Sequence, residues 1–255
     1  MGLRRLIKNF IYRKKFAPSK NKKITNHIEN QVILVTGANS GIGLALTKKF
    51  LDLKNTVIAT YNLNNENLLK LKCKNLKIYQ CDQSDIKNLD KLEDYIKNIS
   101  INIIINNAGV WGGKNQNFNN IDYENFFKAI NINALSILRL SEIVLKCSSK
   151  INLNSIINIS TLYSSTDHNT TGKNYIYKST KNMMNSFSKN LSIDLKNDYG
   201  VNVITVCPGS VKTKLNPNGI LDPSTVAINI INILENSSDK HNGKFIDLNE
   251  NYLNW

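Results

Sequence analysis

Tyr177 and Lys181 stand four residues apart in the stretch Asn174–Asn182, NYIYKSTKN. On a helix, side chains three or four residues apart share a face, so this phenol and this ammonium would be neighbours. Tyr175 has Ser179 at that spacing, and Lys178, one residue from Tyr177, projects to another face. A phenol with a pKa of about 10 shuttles protons poorly near neutral pH, and an adjacent ammonium lowers that value by favouring the phenolate. Reducing a carbonyl by hydride transfer requires such a proton donor. A Tyr-x-x-x-Lys spacing also arises by chance in a chain rich in both residues, so its meaning depends on the elements that position it.

Residues 32–49, VILVTGANSGIGLALTKK, read as a buried strand, a glycine turn and a helix starting near Ile42. Gly37 lets the chain turn sharply, Gly41 removes a side chain where backbone must approach a pyrophosphate, and Gly43 lets the helix pack closely on the sheet. The helix N-terminus would then direct amide dipoles at the phosphates. The spacing is Gly-x-x-x-Gly-x-Gly, so the dinucleotide reading rests on the strand-turn-helix context, with contacts expected from Gly37, Asn39, Ser40, Gly41, Ile42 and Gly43. The second strand ends in Tyr61 and Asn62. An acid there would hold an NAD ribose, and its absence permits the 2′-phosphate of NADP. No arginine stands there to clamp a phosphate, which leaves Lys48 or Lys49 as possible contributors.

Strand-like and helix-like stretches then alternate: NTVIATY and Glu66–Lys72, NLKIYQC and Asp85–Asn98, INIIIN and Tyr123–Cys147, SIINIS and Tyr177–Lys196, VNVITVC and Thr225–Leu234. This alternation predicts an α/β, doubly wound parallel sheet flanked by helices on both faces. No repeat and no linker divides it. With 41% hydrophobic and 20% charged residues in 255, the composition is that of one globular domain. Its apolar runs are of strand length rather than membrane-spanning length. The four cysteines form no Cys-x-x-Cys pair, which fits a reducing compartment, and the three histidines are too scattered for a metal site or a Ser-His-Asp triad. No metal is expected.

Residues 1–30 hold three Arg and six Lys against Glu29 alone, so +8 of the formal +14 charge lies there. Leu3, Leu6, Ile7, Phe10 and Ile11 recur with helical spacing, and Pro18 would end that helix. The pattern over residues 1–23 suits an anionic membrane surface or an import signal, and equally an extra helix packed on the main domain. Leu6 stands where a myristoylation motif requires Ser or Thr.

In order along the chain, Thr36-Gly37-x-x-x-Gly41-Ile42-Gly43, Asn106-Asn107-Ala108-Gly109, Asn131, Tyr177-x-x-x-Lys181 and Pro208-Gly209-x-Val211-x-Thr213 resemble the single-domain, Rossmann-type short-chain dehydrogenase/reductase family. The resemblance covers about residues 31–255, after a basic extension over 1–30. YIYKSTKNMMN and the ending GKFIDLNENYLNW are similar to its C-factor-like carbonyl reductase branch. It implies that Tyr177 donates the proton, that Lys181 tunes Tyr177 and holds the nicotinamide ribose, and that Asn131 holds a relay water. A hydroxyl should steady the substrate carbonyl. Thr161 aligns with it at the strand end NIST, sixteen residues before Tyr177, while Ser164 lies at the family's usual count of thirteen; Ser160 and Ser164 stay open.

The resemblance further implies that Asp82 bonds the adenine, that Asn107, Ala108 and Gly109 line the adenosine ribose, and that Pro208, Val211 and Thr213 orient the nicotinamide amide. As alternatives, Asp82 could cap the next helix, and Asn106 and Asn107 could brace the sheet. The branch commonly has an aromatic residue after Pro-Gly, where this chain has Ser210.

The expected function is an NAD(P)-dependent oxidoreductase acting on a small carbonyl or secondary alcohol, with NADP(H) favoured over NAD(H). The short segment after Thr213, KLNPNGILDPS, points to an open site rather than a closed lid. A homo-oligomer through the two long helices and a cytoplasmic location are expected, and nucleic acid is an unlikely partner. The alternative is a non-catalytic dinucleotide sensor or signalling protein of the same fold.

Overall fold

A computed structural model describes residues 28–147, 152–237 and 239–255. The amphipathic reading of residues 1–23, with its stop at Pro18, therefore lies outside the described residues.

Seven strands form one parallel sheet: β1 (Val32–Val35), β2 (Thr56–Tyr61), β3 (Leu76–Gln80), β4 (Ile103–Asn106), β7 (Ser155–Ile159), β8 (Asn202–Cys207) and β9 (Phe245–Asp247), in the spatial order 3-2-1-4-7-8-9. β5 (Gln116–Asn117) and β6 (Asn120–Ile121) pair separately as a short antiparallel ribbon. The helices are α1 (Gly41–Asp52), α2 (Glu66–Leu69), α3 (Lys87–Ile96), α4 (Tyr123–Ile130), α5 (Ser136–Cys147), α6 (Tyr175–Tyr199) and α7 (Pro223–Ser237). The expected doubly wound parallel sheet is present.

Alternation along the strands divides the core into two layers. Ile33, Val35, Val57, Ala59, Ile103, Ile105, Ile157 and Ile204 face one side, where Leu46 and Phe50 of α1 and Val226, Ile230 and Ile231 of α7 cover them. Leu34, Ile58, Ile104, Ile156 and Val203 face the other, against Leu89, Leu92 and Ile96 of α3 and Leu140, Ile143 and Val144 of α5. Phe50 is fully buried, and truncation of such a ring to alanine costs about 3–5 kcal/mol.

Three departures from the sequence expectation bear on the site. Tyr123–Cys147 is not one regular helix: a π turn, Asn131–Leu135, joins α4 to α5 and changes which side chains face inward. The last strand, β9, pairs with β8 over only three residues, too few for a periodicity signal. α6 begins at Tyr175, two residues early, after Asn174 in the left-handed region at φ 54°. The Asn174 side chain does not cap it. The Gln116 side chain, from the distant β5, instead accepts the Tyr177 backbone N–H at 3.1 Å.

Candidate active site

In an open parallel sheet, a crevice forms at the carboxyl ends of the strands where the strand order reverses. Here that point lies between β1 and β4. The glycine turn follows β1, and Asn107, Ala108 and Gly109 follow β4. Gly37 and Gly41 have φ of +60° and +54°, which a side chain rarely adopts, and a methyl group on Gly41 would come within 2.9 Å of Thr213 Cγ2. A methyl group on Gly43 would overlap the Gly37 carbonyl and come within 2.5 Å of Asn107 Nδ2. Gly43 thus serves close packing, as expected. Asn107 donates to the carbonyls of Thr36, at 2.9 Å, and Gly37, at 3.2 Å, so its amide braces the turn. At the start of α1, Ser40 provides no side-chain cap and no acid occupies the first turn. Backbone amides there keep their capacity to bind an anion.

A cleft of about 1060 Å³ runs from this turn to Tyr177. It is lined by Gly37, Asn39, Ser40, Gly41, Ile42, Tyr61, Asn62, Asp82, Asn107, Ala108, Gly109, Thr161, Tyr177, Lys181, Pro208, Val211 and Thr213. Of the residues expected at the site, Gly43 and Asn131 do not line it. Neither Lys48 nor Lys49 lines it, and Lys49 pairs with Asp52 at 3.5 Å. Asp82 lines the cleft while accepting the Ser84 amide at 2.9 Å; it does not cap α3, whose Lys87 amide is held by Asp85 at 3.0 Å.

At the far end, Thr161 follows the end of β7; its hydroxyl accepts the Tyr163 amide at 3.3 Å and lies close enough to the Tyr177 phenol to lower its pKa. Ser160 Oγ instead donates to Asn185 Oδ1 at 2.6 Å, and Ser164 Oγ to the Thr161 carbonyl at 2.6 Å. Both serines are buried. Among the three hydroxyls left open by the sequence, geometry brings Thr161 to the tyrosine. Lys181 Nζ donates to the Ile159 carbonyl at 2.9 Å. It also lies against Gly109, where a methyl group would stand 3.5 Å from the ammonium.

Burial dominates the charges here. It lowers the Lys181 ammonium to about 8, because a desolvated ammonium is less stable than the neutral amine. The Tyr177 phenol is pushed upward, chiefly by burial and then by the nearby Cys207 thiol, against a smaller lowering by the Thr161 hydroxyl. The expectation that Lys181 depresses Tyr177 is therefore corrected for this state of the protein: the ammonium is turned to the Ile159 carbonyl, and desolvation of the phenol prevails.

The assignment of Asn131 is also corrected. Its side chain donates to the Ser84 carbonyl at 2.7 Å, away from the lysine. Asn133 faces the site instead, with Oδ1 accepting the Val110 amide at 2.8 Å and Nδ2 donating to the Val110 carbonyl and Thr180 Oγ1, each at 2.9 Å. Asn133 Oδ1 and Lys181 Nζ flank Gly109, at 3.3 and 3.5 Å from where its Cβ would be. Two residues apart is about 200° around a helix, so both asparagines of AININ cannot face inward. The π turn decides between them.

Sequence reasoning also missed Trp111, whose ring lies 4.4 Å from the Tyr177 ring, and Gln116, which ties that tryptophan's loop to α6. The nearby NNAG motif was the available signal for Trp111. Nothing local marked Gln116.

Comparison with known proteins adds relatives to this geometry. The family described as short chain dehydrogenase matches residues 31–221. The NADP-dependent 3-hydroxy acid dehydrogenase of Escherichia coli is 30% identical, over 71% of this chain and 72% of its own length. The 15-hydroxyprostaglandin dehydrogenase [NAD(+)] of Rattus norvegicus is 29% identical, over 83% of this chain and 89% of its own. Among solved structures, the carbonyl reductase Sniffer of D. melanogaster superposes with a TM-score of 0.79 at 24% identity, covering 89% of this chain and 100% of that one. The family match takes in the glycine turn, Thr161, Tyr177 and Lys181 within a fold that carries them to one cleft, and the chain belongs to the short-chain dehydrogenase family of NAD(P)-dependent oxidoreductases.

Proposed function

We propose that this protein reduces a small carbonyl with NADPH, or runs the reverse oxidation, using Tyr177 as proton donor, Thr161 to hold the carbonyl oxygen, and Lys181 and Asn133 to support them. One observation supports this reading above the others. A phenol, its hydroxyl partner and an ammonium share one end of a cleft whose other end is an uncapped, acid-free helix N-terminus. The residues fit a dinucleotide: the left-handed Gly37 and Gly41 keep the turn free of side chains, and the first amides of α1 would hold the pyrophosphate. Tyr61 and Asn62 would lie at the adenosine ribose, Asp82 at the adenine, and Pro208, Val211 and Thr213 at the nicotinamide amide. When bound, the nicotinamide supplies the hydride.

The protein's own part is to place and protonate the oxygen. Thr161 Oγ1 and Tyr177 Oη both donate hydrogen bonds to it, and Tyr177 gives up its proton as negative charge develops there. A high phenol pKa opposes that loss. Lys181 would hold a ribose hydroxyl of the bound nucleotide, and its positive charge would then favour the phenolate against the effect of burial. Asn133 fixes the Val110 backbone beside Lys181.

The preference for NADP rests on the absence of a carboxylate from the end of β2, where Tyr61, Asn62, Leu63 and Asn64 line the cleft. The two named relatives use different nicotinamides, so kinship alone does not set the choice. We further propose that residues 31–255 form the oxidoreductase domain and that residues 1–30 are an extension acting apart from this site. A homo-oligomer through α4 to α6 would cover Tyr123, Phe127, Ile193 and Tyr199, which are exposed there. Among the described residues no helix is long and apolar enough to cross a membrane, and membrane contact, if made, falls to residues 1–23.

The experiment follows absorbance of the reduced cofactor with NADPH and NADH in parallel against a panel of aldehydes and ketones. Consumption with NADPH at a kcat/KM at least tenfold above NADH supports the reading. A preference for NADH overturns the cofactor assignment. Cofactor binding without turnover of any carbonyl favours the sensing role instead.

A further inference from the structure

Beyond Tyr177, the cleft wall is aromatic. The Trp111 indole lies against the Tyr177 ring, tilted, at 4.4 Å with planes 30° apart, and the Tyr163 ring meets Trp111 edge to face at 6.4 Å and 64°. Lys178 Nζ sits 5.6 Å from the Tyr163 ring centre and is anchored by Asn169 and Thr171. Tyr163 is nearly half exposed, at 46%, and lines the cleft together with Trp111. Asp82, expected at the adenine, is the one carboxylate among the described residues lining the cleft.

Trp111 is held in place from below. The Gln116 side chain, 2% exposed, donates through Nε2 to the carbonyls of Trp111, at 3.1 Å, and Gly113, at 2.9 Å. Its Oε1 accepts the Tyr177 amide at 3.1 Å. Both amide hydrogens and the oxygen are thus engaged, and the loop carrying the indole is tied to the turn carrying the phenol. Gly112, at φ +88°, packs so tightly on Ile176 that a methyl group there would overlap that side chain. Such a loop gains little by rearranging, and a preorganised ring loses little entropy when a ligand stacks on it.

We propose that Trp111, positioned by Gln116, sets substrate specificity, and that its indole and the Tyr163 ring select carbonyls attached to a planar aromatic ring over saturated ones of the same size. This rests on the carbonyl reduction proposed above. Stacking and edge contacts between aromatic rings change an affinity by about 2- to 12-fold per contact, so two contacts predict a preference of about 4- to 140-fold.

The test pairs benzaldehyde with cyclohexanecarbaldehyde, and acetophenone with cyclohexyl methyl ketone. In the wild-type protein, kcat/KM is expected to favour the aromatic member at least about fourfold. Trp111→Leu should bring the ratio within threefold of unity, mainly by raising KM for the aromatic member, while Trp111→Phe should restore much of the preference. A ratio unchanged by Trp111→Leu overturns the proposal. A second arm separates this proposal from the reductase reading. The chain has two tryptophans, so Trp255→Phe leaves Trp111 as the only indole emitter. With cofactor present, acetophenone should quench that emission and the cyclohexyl ketone should not. Selective quenching without turnover keeps the aromatic site and removes the reductase reading, whereas equal or absent quenching removes the aromatic site whatever the turnover.

Discussion

Replacing Lys181 by methionine should make the protein more stable while inactivating it. The ammonium is buried and its pKa falls from 10.5 to about 8. A depression of about 2.5 units corresponds to about 3 kcal/mol of unfavourable charge burial. Methionine removes the charge and keeps much of the side-chain length, but it leaves the Ile159 carbonyl without the donor it has at 2.9 Å, a loss of about 1 kcal/mol. The net gain is about 2 kcal/mol, or about 4–8 °C in Tm for a domain of this size. The sign depends on pH. Below about pH 8 both the folded and unfolded chains hold the proton, and wild type bears the whole penalty. Between about pH 8 and 10.5 the folded state releases its proton first, so wild type gains stability with rising pH relative to the variant, and above that window the advantage of methionine is gone. Urea unfolding at pH 6.5 and 9.5, without cofactor, measures both points. A variant less stable than wild type at pH 6.5, or a difference that does not shrink between the two pH values, would refute the reasoning.

Thr161→Val should lower kcat by about 10²-fold with cofactor affinity unchanged, in the range measured for single donors to a developing oxyanion, and Thr161→Ser should retain most activity; equal losses in both would point to packing rather than the hydroxyl. Asn133→Ala should lower both stability and kcat, because it unpairs the Val110 backbone and Thr180 beside Lys181, whereas Asn131→Ala should leave kcat within about threefold; thermal melts and initial rates on both variants check this, and the reverse ranking would restore Asn131. Gly43→Ala should weaken cofactor binding at least tenfold, because the added methyl group displaces the Gly37 carbonyl or the Asn107 amide that braces the turn; unaltered affinity in a fluorescence titration of reduced cofactor would show that the turn yields without consequence.

Much of this was legible in the sequence because it depends on local pattern. Continuous apolar strands, the glycine turn and the Tyr177–Lys181 spacing each act within a few residues, and the fold brings them together as expected. What escaped was set by phase and by distant partners. Asn131 and Asn133 are both offered by AININ, and only the π turn determines which faces the lysine. The start of α6 shifted because its first turn is tied by Gln116, 61 residues away from Tyr177, instead of by a neighbouring cap. β9 is three residues long and is covered by Trp255 stacked on Phe245 at 5.7 Å, so its pairing is a tertiary matter. The direction of the Tyr177 shift depended on how dry the phenol is, which spacing alone does not reveal.

The most direct test of the central claim is reduced-cofactor consumption by Tyr177→Phe, with cofactor affinity measured on the same preparation. Phenylalanine keeps the ring against Trp111 and removes only the hydroxyl. The account predicts a kcat at least 10³-fold lower, with cofactor affinity within about threefold of wild type. Turnover within tenfold of wild type would contradict it, since the proton would then be coming from elsewhere.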